Sequence, residues 1–254
     1  MKDSTLEVIL SPAEFAPLAK RDLSQAVCVV FDILRATTSM VTALSNGAEA
    51  IIPVAEISEA LAIRHQQPEV LLAGERDGFR IGAKLTGSID FDLGNSPREF
   101  TAEKVQGRRI AMTTTNGTRA LRACAGGKTV LASSFLNLEA TRQWILKNNS
   151  KHLILVCSGT QEEPALEDIL AAGALCQGLW DRFIGGLVSD AAEVARNTYE
   201  TLGKDLPSAL QSARNGRRLL SIPELREDVS FCVQRNTHAF CAKMDSEGII
   251  WRIS

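Results

Sequence analysis

The sequence predicts an α/β protein with a largely parallel sheet. Along most of the chain, short β-branched runs alternate with longer stretches of helical pattern, which is typical of parallel strands connected by helices. Several of the β-branched runs are apolar at consecutive positions, which indicates strands buried on both faces. Hydrophobic residues make up 45% of the 254 residues, so the chain contains enough apolar side chains for a core of its own.

The predicted elements follow one another as strand and helix for most of the chain. Strands are predicted at Val27–Phe31, Ala50–Val54, Val70–Ala73, Arg109–Met112, Thr129–Ala132 and Leu153–Val156. Helices are predicted at Thr37–Ser45, Ser58–His65, Gly117–Cys124, Leu138–Lys147, Leu166–Leu179 and Ser189–Tyr199. The stretch from Arg76 to Pro97 lacks a clear period, and a long loop of this kind in a compact domain is often functional.

Two parts of the chain resemble each other weakly. VVFD, ATTSMVTAL and AIIPV are followed, roughly 80 residues further on, by RIAM, TTTNGTRAL and KTVLA. The shared order is strand, threonine-rich turn, helix and strand. We predict one domain over residues 1–254, and an internal duplication with a boundary near residue 100 stays open as part of this prediction.

The composition excludes several classes of function. Lys and Arg number 28 against 30 for Asp and Glu, and this balance argues against a nucleic-acid partner or a basic membrane-binding surface. Aromatic residues make up 5% of the chain, which leaves little for base stacking. The 3 histidines exclude a histidine-rich metal cage, so acid–base chemistry is expected to fall to carboxylates.

The sequence also indicates a cellular compartment. Its 6 cysteines include no C-x-x-C pair and mostly have apolar neighbours, as expected for reduced, buried thiols. The N-terminus lacks the basic start and apolar region of a signal peptide, and no uncharged apolar stretch is long enough to span a membrane. We therefore expect a cytoplasmic protein with no membrane partner, and a homodimer is left open.

The first candidate for a functional site follows the strand VCVVF. In parallel α/β sheets, ligands bind beyond the carboxyl ends of the strands. Asp32 comes directly after this strand and Arg35 three residues later. A carboxylate there is well placed to hold Mg2+ or to act as a nucleophile, and Arg35 to bind an anion. For Asp32 alone, a simple helix cap is an equally good interpretation.

A second polar cluster, Thr113–Arg119, follows the strand RIAM. It combines hydroxyl groups, an amide and Gly117 at a helix start, which suits a phosphate or sulfonate group. Because the whole cluster lacks apolar side chains directly after a buried strand, we favour a functional role over an ordinary turn.

Three further segments are weaker candidates when each is taken alone. Cys157–Thr160 follows the strand LILV and precedes the acidic pair Glu167 and Asp168, which would ligate Mg2+ or merely complement the helix dipole. Gly74–Arg76 and Gly94–Pro97 are explained as readily by ordinary turns.

Together, these motifs closely resemble one known family. FDILRATTS, AGER, DLGNSP, TTTNGT and CSG followed by LEDILAAG, in this order and spacing, resemble the 2-phosphosulfolactate phosphatase family. The resemblance is strong from Val27 to Leu179 and weaker towards the C-terminus. It implies a three-layer α/β/α fold and Mg2+-dependent hydrolysis of 2-phospho-3-sulfolactate to 3-sulfolactate and phosphate, a step in coenzyme M biosynthesis.

The resemblance also implies that the motifs form a single site for a small anionic phosphorylated substrate. The catalytic residues would be Asp32, Arg35, Glu75 and Arg76. Substrate and phosphate would be bound by Asn95, Ser96, Thr114, Thr115, Asn116, Gly117 and Thr118. Arg119, at the end of the same polar cluster, is expected from its charge to bind the carboxylate or sulfonate of the substrate together with Arg76. Mg2+ would be held by some of Asp32, Glu75, Glu167 and Asp168. Whether a water molecule or Asp32 attacks the phosphorus is left open.

The C-terminal part departs from the family pattern. Glu227 and Asp228 precede an apolar run, but the more acidic, proline-bearing ending usual in the family is missing, so Asp228 receives no assigned role. The basic segment Leu206–Leu220 is predicted to be a helix with a solvated face that ends near Asn215–Gly216. Two alternative functions stay open: a phosphatase of another phosphorylated 2-hydroxy acid, and a non-catalytic binder of a small anionic metabolite.

Overall fold

A computed structural model describes residues 3–254, and its centre is one 11-stranded sheet. The strands are β1 (Thr5–Ile9), β2 (Ala26–Phe31), β3 (Ala50–Pro53), β4 (Leu71–Arg76), β5 (Phe79–Arg80), β6 (Arg109–Thr113), β7 (Thr129–Ser133), β8 (His152–Cys157), β9 (Leu187–Val188), β10 (Cys241–Met244) and β11 (Ile250–Ile253).

The helices cover both faces of this sheet. They are α1 (Phe15–Leu18), α2 (Ala36–Ser45), α3 (Ile57–Gln66), α4 (Ala83–Thr86), α5 (Ala102–Val105), α6 (Gly117–Ala123), α7 (Leu138–Lys147), α8 (Leu166–Phe183), α9 (Asp190–Leu202), α10 (Leu206–Ser212), α11 (Arg214–Leu220) and α12 (Arg226–Cys232). Short 3-10 turns lie at Pro12–Glu14, Pro97–Glu99, Phe135–Asn137 and Gly203–Asp205. Within residues 3–254, no helix is both long enough and apolar enough to cross a membrane.

The sheet is mixed and mostly parallel, as predicted. The strand order is β5-β4-β6-β3-β11-β10-β7-β2-β8-β1-β9. Strands β4, β6 and β3 form one parallel group, and β7, β2, β8, β1 and β9 form a second. The antiparallel pair β10 and β11 lies between the two groups and pairs antiparallel with each. The C-terminus of the chain therefore joins the two groups into one sheet.

Alternating side chains of the central strand β2 face two separate layers of helices. Cys28 and Val30 pack in the same apolar cluster as Met40 of α2. Val29 and Phe31 pack in a second cluster, on the other face, with Leu175 of α8 and its neighbours. This alternation is the two-residue period of a strand with both faces buried. The predicted three-layer α/β/α arrangement is confirmed.

Apart from the helix predicted over Leu206–Leu220, all predicted strands and helices are present, with shifts of a few residues at their ends. Helix α8 differs most, since it continues to Phe183. Five strands were not predicted from the sequence, namely β1, β5, β9, β10 and β11. Each of these strands is five residues long or shorter, and β10 and β11 each include a basic residue, so no apolar run marks them.

The prediction of a single helix through Leu206–Leu220 is wrong. Ala213 is extended, with φ −69° and ψ 147°, and it separates α10 from α11. Asn215 and Gly216 therefore lie in the first turn of a second helix and do not end the first. A β-carbon on Gly216 would lie 1.7 Å from the carbonyl oxygen of Leu210, so α11 packs against α10 at a distance that only glycine allows.

The two similar sequence blocks cross the sheet in opposite directions. Helix α2 leads from β2 in the second parallel group to β3 in the first, and α6 leads from β6 in the first group to β7 in the second. The starts of these helices meet: a β-carbon on Gly117 would lie 2.7 Å from that of Ala36. The crossing brings the carboxyl ends of β2 and β6 to one place. The duplication itself stays a prediction.

Candidate active site

A cavity of about 120 Å3 lies beyond the carboxyl ends of β2, β4, β6 and β8. Its sheet-end wall includes Asp32, Arg35, Glu75, Asn95, Thr115 and Asn116. Its helical wall consists of Asn215, Arg218 and Leu219 from α11. The structure therefore brings together six of the residues that the sequence analysis assigned to one site.

Asp32 lies at the end of β2, under the first turn of α2. Its Oδ1 accepts a hydrogen bond of 3.0 Å from the amide of Ala36. A β-carbon on Gly117 would lie 2.6 Å from Asp32 Oδ2. A glycine at this position therefore lets the turn after β6 approach the Asp32 carboxylate without a clash.

The environment of Asp32 disfavours its charged form. Burial raises the pKa of Asp32 to about 7, although the hydrogen bond from Ala36 partly opposes this effect, and the charges of Glu75 and Glu167 raise the pKa further. Burial likewise raises the pKa of Asp168 well above its usual range, with added repulsion from Asp32 and Glu167. Several carboxylates are therefore held together at an energetic cost that a bound cation would relieve.

Glu167 and Asp168, adjacent in the first turn of α8, have different surroundings. Asp168 Oδ1 accepts a hydrogen bond of 2.8 Å from the amide of Ile33, and Oδ2 accepts one of 3.0 Å from the amide of Gly159. Asp168 thus ties the end of β2 to the end of β8. Glu167 Oε1 accepts a hydrogen bond of 2.5 Å from Asn215, whereas Glu167 Oε2 is buried and has no partner among the described residues.

Glu75 connects the end of β4 with the turn that follows β6. Its Oε1 accepts hydrogen bonds from the amide and from the hydroxyl of Thr115, both 2.9 Å long. Its Oε2 accepts a hydrogen bond of 2.8 Å from the amide of Gly78. Both carboxylate oxygens of Glu75 are therefore used to hold the backbone of the site.

Arg35 is held by a buried carboxylate from the C-terminal part of the chain. Its Nη1 donates to Asp228 Oδ2 over 2.7 Å, and its Nη2 donates to the carbonyl oxygen of Gly78 over 2.8 Å. The side chains of Arg35 and Asp228 are 3% and 0% exposed. Asp228 Oδ1 also accepts hydrogen bonds from Ser96 Oγ at 2.6 Å and from Arg98 Nε at 2.9 Å. This network fixes the direction of the Arg35 guanidinium.

Eight of the predicted site residues are not among those lining the cavity, namely Gly117, Glu167 and Asp168, described above, and Arg76, Ser96, Thr114, Thr118 and Arg119. The hydroxyl of Thr118 donates back to the Thr114 carbonyl over 3.1 Å, and Ser96 contacts Asp228. Arg76 donates to the hydroxyl of Thr113 over 3.0 Å. Arg119 is exposed and forms an ion pair of 3.2 Å with Glu162. Their roles in binding or catalysis stay predictions.

Sequence reasoning missed three residues of the site, Asn215, Arg218 and Asp228. The clearest signal was Asp228, an acid four residues before the buried Cys232 and so on the same face of α12. A charged residue on the apolar face of a helix requires a partner, which Arg35 and Arg98 provide. The dipeptide Asn215-Gly216 was interpreted as a helix end, so no contact between Asn215 and Glu167 was predicted.

The side chains of the site supply oxygen donors of the kind that Mg2+ prefers. The side-chain carbonyl oxygens of Asn95 and Asn116, together with Glu167 Oε2, are buried and accept no hydrogen bond from the described residues. Within residues 3–254, no three His, Cys, Asp or Glu side chains are grouped so that they would hold a metal ion by themselves. Mg2+ usually takes one or two carboxylates and completes its shell with waters and substrate phosphate. The donors fit this open mode of binding and do not form a closed cage.

The fold and the cavity define an α/β protein with a carboxylate-lined cavity at the carboxyl ends of parallel strands. A model of the 2-phosphosulpholactate phosphatase family matches residues 15–247. The chain belongs to this family, a family of phosphoric monoester hydrolases, and the resemblance noted in the sequence is confirmed.

Curated relatives agree with this placement. The chain is 38% identical over 219 residues to a protein of Caldanaerobacter subterraneus subsp. tengcongensis, covering 84% of this chain and 85% of that protein. It is 37% identical over 227 residues to a protein of Thermotoga petrophila, covering 89% of each chain. A protein of Caldicellulosiruptor saccharolyticus is 35% identical over 218 residues, which cover 84% of this chain and 87% of that protein. Each is named "Probable 2-phosphosulfolactate phosphatase".

Proposed function

We propose that this protein is a Mg2+-dependent phosphatase that hydrolyses 2-phospho-3-sulfolactate to 3-sulfolactate and phosphate. Membership of the family and the names of the relatives support the substrate. The negative charge of the cavity wall is the observation that supports the proposed Mg2+ dependence. A role in coenzyme M biosynthesis and a cytoplasmic location stay predictions, and a homodimer stays open.

The cavity wall is too negative to attract a phosphate ester unaided. Asp32, Glu75 and Asp77 line it, and the basic side chains among the described lining residues are Arg35 and Arg218. The charge of Arg35 is balanced by Asp228 at 2.7 Å. A divalent cation would reverse the sign of the local charge and allow a phosphoryl group to bind beside these carboxylates.

Asp32 and Glu167 are the residues best able to hold Mg2+. Glu75 and Asp168 accept hydrogen bonds from the protein on both of their carboxylate oxygens. By contrast, Glu167 Oε2 has no partner among the described residues, and Asp32 has Oδ2 directed towards the turn after β6. When bound, Mg2+ offsets negative charge on the phosphoryl oxygens.

The sheet-end wall would bind the phosphoryl group. Arg35 donates to its oxygens while Asp228 holds the guanidinium in place. The side-chain amides of Asn95 and Asn116 line the same space and orient the ester. In-line attack on phosphorus breaks the bond to the 2-oxygen of sulfolactate, which leaves as the hydroxyl after taking up a proton.

Phosphate release measured with and without EDTA tests this proposal. We expect release from 2-phosphosulfolactate with added Mg2+ and loss of release in excess EDTA. Release that is insensitive to EDTA would exclude the metal, and binding without any release would favour the non-catalytic alternative. A panel of other phosphorylated 2-hydroxy acids separates the proposed substrate from its rivals.

Acid quench with labelled substrate identifies the nucleophile. A trapped, hydroxylamine-labile phosphoenzyme that disappears in Asp32→Asn is expected if the Asp32 carboxylate attacks, because an aspartyl phosphate is then formed and later hydrolysed by water. Full turnover without a trapped species assigns the attack to water.

A further inference from the structure

One face of α11 forms the helical wall of the cavity. Asn215, Arg218 and Leu219 are spaced three and four residues apart, which places them on one side of the helix. The close contact of Gly216 with the Leu210 carbonyl fixes α11 against α10. Asn215 ties this face to the sheet ends, because its side-chain amide donates to Glu167 at 2.5 Å and to the Thr160 hydroxyl at 2.7 Å. Arg218 is thus presented from a fixed surface.

Arg218 differs from Arg35 and Arg214 in its charge balance. Within residues 3–254, Arg76 also lacks a carboxylate partner, but it does not line the cavity and donates to the Thr113 hydroxyl and to backbone carbonyls. Arg35 is paired with Asp228, and Arg214 is paired with Glu163 at 2.5 Å. Within residues 3–254, no carboxylate oxygen lies within 4.0 Å of the Arg218 guanidinium. Its Nη2 donates to the backbone carbonyl of Asp77 over 2.7 Å, which anchors the side chain but does not neutralise it. A guanidinium has five N–H donors, so others are free for a ligand.

On the basis of the proposed function, we propose that Arg218 binds the sulfonate of the substrate and so selects 2-phosphosulfolactate over phosphorylated 2-hydroxy acids that lack this group. The sulfonate is attached to the carbon next to the phosphoryl-bearing carbon, so it extends away from a phosphoryl group on the sheet-end wall. A sulfonate stays ionised at any pH at which the protein is folded. A guanidinium without a carboxylate partner is the natural donor to such an anion.

The specificity constants for two substrates test this assignment. The first is 2-phosphosulfolactate and the second is 2-phosphoglycerate, in which a hydroxyl replaces the sulfonate. We expect Arg218→Gln to lower kcat/KM for the first by about 10- to 100-fold, mainly through KM, because a hydrogen bond to a charged group is lost. For the second, kcat/KM should change little. Arg218→Lys keeps the charge but not the planar, forked donor geometry. Its kcat/KM for 2-phosphosulfolactate should therefore lie between that of the wild-type protein and that of Arg218→Gln.

Arg217→Gln is the matched control, because Arg217 is the neighbouring exposed arginine and donates to the backbone carbonyl of Ser212. It should leave both specificity constants unchanged. An equal loss for both substrates in Arg218→Gln would overturn the assignment, since Arg218 would then bind a group that the two share. No loss for 2-phosphosulfolactate would also overturn it.

Calorimetric binding of 3-sulfolactate separates failure of this inference from failure of the proposed function. If the wild-type protein releases phosphate from neither substrate, the proposed reaction is wrong. Arg218 is then still supported if 3-sulfolactate binds to the wild-type protein and binds at least about 10-fold more weakly to Arg218→Gln. Equal affinity for the two proteins, or no binding to either, contradicts the assignment.

Discussion

The two walls of the cavity differ in how they are built. The sheet-end wall comes mainly from residues at the ends of strands and in the loops beyond them. Its acids Asp32 and Glu75 are buried and accept hydrogen bonds from backbone amides. The helical wall comes from α11, far along the chain, and its cation Arg218 is exposed. Our two proposals assign a different task to each wall, namely the chemistry to the buried wall and the selection of substrate to the exposed wall.

The largest effect is expected from Asp32→Asn on the buried wall. The variant keeps an oxygen to accept the hydrogen bond from Ala36 but loses the charge that a metal or a phosphoryl transfer requires. We expect kcat to fall at least about 1,000-fold, as for loss of a principal catalytic group. Circular dichroism and thermal unfolding should show an intact fold. Near-normal turnover would remove Asp32 from the site.

Asp228→Asn should have the next largest effect, because it removes the partner of Arg35 inside the protein. Loss of one member of a buried ion pair typically costs about 3–5 kcal/mol in the free energy of unfolding. We also expect kcat/KM for 2-phosphosulfolactate to fall about 10- to 100-fold, since Arg35 is no longer directed at the phosphoryl group. Denaturant unfolding and initial rates measure the two effects.

The control for Asp228→Asn is Glu227→Gln. Glu227 pairs with the same Arg98 but is 70% exposed, and an exposed ion pair contributes about 1 kcal/mol or less. We expect this variant to keep its activity and nearly all of its stability. Inhibition by inorganic phosphate distinguishes positioning from stability alone, because only Asp228→Asn should weaken it. Equal effects of the two variants would show that Asp228 does not position Arg35.

The pH dependence of stability tests whether burial raises the pKa of Asp32 on the sheet-end wall. In EDTA, the pKa of Asp32 in the folded protein is about 7 against 3.8 for the free side chain, mainly because of burial, so the unfolded chain loses this proton first. The free energy of unfolding should therefore fall as the pH rises from about 4 to about 7. The raised pKa values of Glu167 and Asp168 act in the same direction.

Two comparisons make this pH prediction specific. In Asp32→Asn the free energy of unfolding should fall less steeply between pH 4 and pH 7, because the carboxyl group of Asp32 is no longer present to titrate. Adding Mg2+ at pH 8 should raise the melting temperature of the wild-type protein more than that of Asp32→Asn, because an ion bound by the folded state stabilises it. Stability that rises through this pH range in EDTA would contradict the assigned burial of Asp32.

The sheet-end wall could be predicted from the sequence to a greater extent than the parts of the site that come from the C-terminal part of the chain. Apolar runs mark the central strands, and polar residues directly after such a run must lie at one edge of a parallel sheet, so Asp32 and Thr115 could be placed from local pattern. The short strands β10 and β11 carry no such run, although they join the two halves of the sheet. The partner of Arg35 lies 193 residues away in Asp228, and no local pattern reports a contact that tertiary packing creates.

The smallest effect is expected from Arg119→Gln. This variant tests whether Arg119 or Arg218 binds the substrate. The sequence placed Arg119 in the substrate site because it ends the polar cluster after β6, but its side chain is exposed and paired with Glu162 at 3.2 Å. An exposed pair of this kind contributes about 1 kcal/mol or less, so stability should hardly change. Because Arg119 is not among the residues lining the cavity, kcat/KM for 2-phosphosulfolactate should stay within about 3-fold of the wild-type value, against the 10- to 100-fold loss expected for Arg218→Gln. Steady-state kinetics of the two variants in parallel make the comparison direct. If Arg119→Gln shows the larger loss, the turn after β6 binds the substrate as the sequence predicted, and the exposed wall does not select it.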